Sequence, residues 1–418
     1  ATDDSVDWTG CIIGGIPVIN NAVNSPQMWA TVDTGTLLTD LTDFSNHADK
    51  CGALRAYKNY LIAMDVTKSG QRYPSLVKWS DSSALGAVPT SWNKDDATVD
   101  AGETELAGTR TDINVGVLLD GMAMRDVFIL YKDDSVWLMS FVGGTFVFDF
   151  RKIYSAQGML ARKCVGEFEG YHFVVGQSDV FVHDGANFQS VIDTKRKDAL
   201  FADIDSTYYD RTYVFANYSA TEMWICYVAN NSGSFWPNKA YVWNWRHKTW
   251  GIRTLPDNTP HIEGGIIDTQ DSTDIWTQVD GDWTDWNVEW GALGFNPSSA
   301  SPCMAGEGVV YKGDSTNLFA GSSFVSYVTR TGIPLSEQDG FMRIKAVYPR
   351  MSGDQVEIKV GGQMAPGATP NFQSSVPFTP LQDQKVDCRV TGTHVAIDVR
   401  SSGESQWELS GIDVEYDF

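Results

Sequence analysis

The sequence predicts an all-β protein: a β-propeller followed by an additional C-terminal antiparallel, sandwich-like module. Three observations predict it. From Leu130 to Pro256, short runs rich in Val, Ile, Tyr, Phe and Trp alternate with joints of Gly, Asp, Asn and Ser, and no helical period takes hold. This punctuation recurs at intervals of about 40 to 50 residues, the length of a four-stranded blade. From Gly340 onward the alternation becomes stricter, as a compact antiparallel sandwich requires.

Taken in order, blade-like units open near Gly10–Asn21, Ala53–Val66, Asp126–Met139, Glu169–Gly185, Arg211–Val228 and Ser315–Val328. Radial repetition leaves few exposed strand edges, which favours a propeller for a chain so full of short strands. No WD or kelch signature fixes the blade count. Residues 1–335 are expected to form the propeller body, with a loop-rich insertion near 255–310 in which Asp, Trp, Pro and Ser accumulate. Residues 336–418 are expected to form the second module, with a boundary near Ser336–Gly340. In its VAIDVR segment, Val395, Ile397 and Val399 face one way.

Composition narrows the function. A chain of 418 residues with 42% apolar content can bury a large core, and it has no apolar run of membrane-spanning length, so a soluble protein is expected. Its start, ATDDSVDWTG, has neither the basic nor the apolar stretch of a secretory signal. Cys11, Cys51, Cys164, Cys226, Cys303 and Cys388 are widely spaced and read as reduced structural thiols, which favours assembly in a reducing cytoplasm. With 53 acids against 31 bases the formal charge is −22, so a phosphate backbone can be gripped only where bases cluster. The one cluster is TKRKD, in which Lys195, Arg196 and Lys197 are candidates for contact with a phosphate or an acidic partner chain, although charge runs are usually solvated.

The candidate chemical sites are weak. Asp280, Asp282, Asp285 and Glu289 interleave with Trp276, Trp283, Trp286 and Trp290, which puts acids and aromatics together as a glycosidase cleft would. Solvated turns and contact surfaces share that composition, and the sialidase-type Asp box does not occur. The VDGDWTD stretch has its Gly misplaced for a calcium loop, and the six dispersed histidines have no zinc spacing. No catalytic residue, cofactor or metal is therefore expected. Trp283 and Trp286 are expected to make subunit or partner contacts, because large apolar rings are costly to leave exposed. The WNWRHKTW segment reads as a strand, a turn at Arg246–Lys248 and a strand, with Trp243 and Trp245 on one core face. Asp184-Gly185 reads as a hairpin turn.

The order YKDDSVWLM, EGYHFVVGQSDVFVHDGANF, ALFADIDSTYYDRTYVFAN, MWICYV, KAYVWNWRHKTWGIR and VTGTHVAIDVRSSGESQWELSGIDVEY resembles the tail nozzle or hub proteins of short-tailed bacteriophages, also called packaged-DNA stabilisation or tail tubular B-type proteins. GCIIGGIPVINNAVNSPQMW and LVKWSDSSALGAVPTSWN resemble the same family's N-terminal blades. The resemblance covers most of the chain, and the order of the pieces carries it. Residues 269–291 do not align. What the resemblance implies is a non-enzymatic virion subunit, assembled in the host cytoplasm into a homohexameric ring. The ring would lie below the portal and adaptor and meet needle, spike or fibre proteins. Double-stranded DNA would pass through its channel without specific binding, and the ring would help retain the genome until ejection. The other reading of the residues is a carbohydrate-binding or glycan-degrading propeller.

Overall fold

A computed structural model describes residues 8–31, 35–106, 116–144, 146–256, 259–265, 300–306, 308–316, 318–319, 321–335, 340–401 and 403–417. Strand accounts for 53% and helix for 5%, so the all-β expectation holds. The chain divides into two compact units, 1–312 and 313–418.

The first unit is a series of up-and-down antiparallel sheets, each strand paired with its sequence neighbour. Blade one comprises Thr9–Ile13, Ile16–Asn20, Gln27–Met28 and Thr39–Asp40; blade two comprises Lys50–Tyr57, Tyr60–Lys68, Gln71–Trp79 and Gly102–Glu105. Blade three comprises Leu118–Met124, Val127–Lys132, Ser135–Phe141 and Phe148–Ser155; blade four comprises Val165–Phe168, Tyr171–Val175, Val180–His183 and Phe188–Ser190. Blade five comprises Tyr213–Asn217, Glu222–Tyr227, Lys239–Asn244 and Thr249–Thr254. Blade six has three strands among the described residues, His261–Gly265, Ser301–Ala305 and Val310–Lys312. First strands pack beside first strands: blade one against two, two against three, four against five and five against six. These first strands are the inner strands, and the arrangement is that of a β-propeller.

The first strands explain two misplaced blade openings. The sequence places them at Asp126 and Glu169, but the blades open earlier, at Leu118 and Val165. LLDGMAM and VGEF are poor strand signals because close approach demands small residues. A Cβ on Gly121 would lie 2.4 Å from the Phe128 ring, and one on Gly166 would lie 2.9 Å from Val214. The opening expected at Ser315 is also corrected. Tyr327–Pro334 pairs with His394–Ser401, so it belongs to the second unit, and the division falls at Gly313 rather than near Ser336–Gly340. Residues 336–339 themselves lie outside the described residues. The expected insertion is corrected at its flanks, since His261–Gly265 and Ser301–Ala305 pair as blade strands.

A short 3₁₀ turn at Tyr209–Arg211 and one α-helix interrupt the stretch expected to be free of helical structure; the α-helix is Thr194–Asp203. Asp193 caps it, its carboxylate accepting from the Arg196 N–H at 3.0 Å, and Lys, Arg, Ala and Leu are good helix formers. Leu200 is the buried anchor. Elsewhere the local readings hold. Trp243 and Trp245 are core residues, and Trp243 is the cross-strand partner of Trp250. Asp184 accepts the Ala186 and Asn187 N–H groups at 2.9 and 2.7 Å, with Gly185 at φ +90° in the turn.

The second unit packs two antiparallel sheets. One contains Tyr327–Pro334, His394–Ser401 and Val356–Gln363, with Asn371–Phe372 and Val376–Phe378 beyond; the other contains Val386–Gly392, Met342–Gly353 and Trp407–Asp417. Val395, Ile397 and Val399 join Ile344, Val347, Val356, Ile358 and Val390 in their shared core, as the alternation predicts. All six cysteines are free, and Cys51, Cys164, Cys226 and Cys388 are buried. Among the described residues, no helix is long and apolar enough to cross a membrane.

Candidate functional site

The inner strands of blades one, two and three converge on a charged knot. Arg55 Nε donates to Asp120 Oδ1 at 2.8 Å and its Nη2 donates to Oδ2 at 2.7 Å, a two-pronged pair. Its Nη1 reaches the Gly10 carbonyl at 3.1 Å. The Gly121 and Lys163 N–H groups complete the shell of Asp120, at 2.8 and 3.1 Å. Full burial raises the Asp120 pKa, but the Arg55 charge and these donors outweigh burial and hold the carboxyl below its ordinary value. Lys163 then passes the contact on, its carbonyl accepting from the Val214 N–H of blade five at 2.8 Å. One buried carboxylate thus ties together the backbones of successive blades.

A second acid is held the same way. Asp65, at φ +55° where the register of its strand shifts, accepts from Arg72 Nε and Nη2 at 2.6 and 2.8 Å and from Arg162 Nη2 at 3.1 Å. Gly52 makes the approach possible: a Cβ there would lie 2.5 Å from Arg162 Nη2 and 2.7 Å from Asp65 Oδ2. Two further inner-strand acids, Glu167 and Glu263, both lie near enough to help raise the pKa of Tyr218, for which burial is the largest cause. Glu263 is held below its ordinary value by His261, 3.6 Å away.

Of the expected contact residues, Lys195, Arg196 and Lys197 stand on the first turn of the Thr194–Asp203 helix. Arg196 pairs with the capping Asp193, and Lys197 lies 4.0 Å from Asp179. Two bases of the cluster therefore face acids of their own chain, which reduces the positive field a phosphate would meet. Trp283 and Trp286 lie outside the described residues, as do Trp276, Trp290, Asp280, Asp282, Asp285 and Glu289. A shallow cleft lined by Asp133, Asp134, Gln177 and Asp179 opens between blades three and four. Among the described residues, no group of three or more His, Cys, Asp or Glu side chains is placed to hold a metal ion.

Sequence reading missed Arg55, Asp120, Asp65 and Arg162: Asp120 lies 65 positions from Arg55 and Arg162 lies 97 from Asp65, and although Arg72 is only 7 from Asp65, no local motif marks the pair. It also treats the histidines as dispersed, whereas His172 and His183 are cross-strand partners with ring centroids 5.6 Å apart.

No protein-family model and no curated protein matches the chain. Among solved structures, it is similar to an exo-β-1,3-galactanase from Phanerochaete chrysosporium at 8% identity and TM-score 0.32, covering 98% of this chain and 95% of that one. The WD40 domain of SCAP from fission yeast stands at 8% identity and TM-score 0.32, covering 95% and 94%. The AfRom2 CNH domain stands at 9% and 0.33, covering 63% of this chain and 88% of that one. Likeness at this level says nothing of what the chain binds or does.

Proposed function

We propose that this chain is a structural subunit of a short-tailed phage tail, a nozzle or hub protein that forms a homohexameric ring around the path of double-stranded DNA. The observation that carries the proposal is the commitment of the buried acids Asp120 and Asp65 to arginines and backbone donors, which makes them staples between blades. Large apolar side chains stand exposed on the second unit, among them Phe324, Val325, Tyr327, Val328 and Phe341, the kind of area that a partner subunit covers. The order of segments resembling the nozzle family gives the ring and its neighbours, and the −22 charge suits a wall that guides DNA without gripping it.

A wall rich in Lys and Arg would release counterions and bind duplex with a steep salt dependence. An acidic wall repels the phosphates over about one Debye length, roughly 8 to 10 Å at physiological salt. The expected result is that the isolated protein retains no duplex DNA in a low-salt gel shift. Tight binding that collapses between low and moderate salt would contradict the guiding wall and point to Lys195–Lys197.

The glycan-degrading reading keeps one observation in its favour: Glu167 and Glu263 are inner-strand acids that both act on Tyr218, and a glycosidase needs two carboxylates about 5 to 10 Å apart. Oligosaccharide hydrolysis lost on Glu263→Gln would favour it over the tail reading.

A further inference from the structure

Blades three and four meet over a buried chain of four hydrogen bonds. Its links are Gly185 N to His183 Nδ1 at 3.2 Å, His183 Nε2 to Tyr131 Oη at 2.7 Å, Tyr131 Oη to His172 Nδ1 at 2.7 Å, and His172 Nε2 to the Ala123 carbonyl at 2.9 Å. The two ends fix every proton in it. A backbone N–H can only donate, so His183 Nδ1 carries no proton and Nε2–H donates to Tyr131. A backbone carbonyl can only accept, so His172 Nε2 carries the proton and Nδ1 is left to accept the Tyr131 hydroxyl. Donors and acceptors match at all four links only when both imidazoles are neutral. His172, His183 and Tyr131 are all buried, so water cannot repair a mismatch cheaply.

We propose that this relay is an acid-operated latch between blades three and four, closed while both histidines are neutral, opened by a proton on His172 and loosened at its blade-four anchor by a proton on His183. A solvent proton on His183 Nδ1 sets it against the Gly185 N–H, donor facing donor. A proton on His172 Nδ1 leaves the Tyr131 hydroxyl hydrogen without an acceptor. Tyr131 and Ala123 belong to blade three, and His172, His183 and Gly185 to blade four, so the His172 event breaks a link between blades, whereas the His183 event breaks the anchor of the relay in the blade-four turn.

The surroundings favour the closed state. Tyr154 packs edge-on against His183, with ring centroids 5.4 Å apart, and Asp184 follows in the turn. Burial lowers His172 to about 4. Burial and then the charge of His172 bring His183 down to about 3, against a smaller opposing pull from Asp184. Around Tyr131 the facing groups are Tyr154 and Asp120, and burial first, then these two, raise its pKa. The sign follows: the unfolded chain binds more protons than the folded one below the ordinary histidine pKa of about 6.5, so stability falls as pH drops through that value toward the folded values.

The test is amide hydrogen exchange on the full chain while pH falls from about 7 to about 5, together with ring-proton NMR of isotope-labelled histidine. The latch predicts that the folding constant drops on the order of several hundredfold from these two groups, with exchange rising first in Val127–Lys132 and Tyr171–His183. It also predicts that two histidine resonances stay neutral at about pH 5. His183→Gln keeps an N–H for Tyr131 but cannot titrate, and it should shrink the acid loss by about twentyfold. All six resonances titrating together, or exchange rising first at another seam, would overturn the latch, whether or not the variant folds.

Discussion

Replacing Asp120 by alanine should lower folding stability by about 3 to 5 kcal/mol, because removing one partner of a buried pair leaves the other charge uncompensated. The lower end is expected, since the Arg55 side chain keeps 23% exposure and water screens part of its charge. The Gly121 and Lys163 N–H groups also lose their acceptor. Removing both charges, with Arg55→Leu added, should recover part of the loss, since apolar replacement of a whole buried pair is often close to neutral. Acid should act in the same sense. The folded carboxyl titrates below its ordinary value, so its contribution is present above about pH 4 and is lost as pH falls through the folded value. Urea unfolding at neutral pH checks this; a change under about 1 kcal/mol would mean that the knot joins nothing of consequence.

The second large effect is expected at Trp243. Its ring stacks on Phe173 at 5.3 Å and meets Phe168 edge-on at 5.6 Å, so one side chain from blade five closes the apolar seam with blade four. Trp243→Ala should cost about 3 to 5 kcal/mol, the range for emptying a large buried ring. Trp8, which is 45% exposed, gives the contrast: its alanine variant should stay within about 0.5 kcal/mol. Equal melting of the two variants would contradict the seam.

Both residues show what the sequence makes legible. Trp243 could be assigned to a core face because its strand alternates and its turn is polar, information contained within a few residues. The hairpin readings succeeded for the same reason. Asp120 could not be found that way, since its partner is 65 positions away and a lone Asp in LLDGMAM weakens the strand signal. Gly121 makes room for the Phe128 ring of its own blade and Gly166 for Val214 of blade five, and these glycines weaken the strand signal at the openings Leu118 and Val165. The helix at Thr194–Asp203 was hidden because Lys195–Lys197 also reads as a charge run, though Asp193 was an available capping signal.

The histidine pair was within reach. Once Gly176–Asp179 is read as the turn, the pairing of Val175 with Val180 fixes the register, and His172 must then face His183. Tyr131, on a different blade, follows from no such count. The boundary at Gly313 was hidden for a related reason: Tyr327–Pro334 looks like another blade strand, and only its pairing with His394–Ser401 assigns it to the second module.

The measurement that bears most directly on the tail-subunit proposal is negative-stain imaging of the purified chain, with its mass in solution. A ring of six copies around an open centre is the predicted result. A monomer with no ring at any concentration, whose melting temperature rises when an oligosaccharide is added, would contradict it.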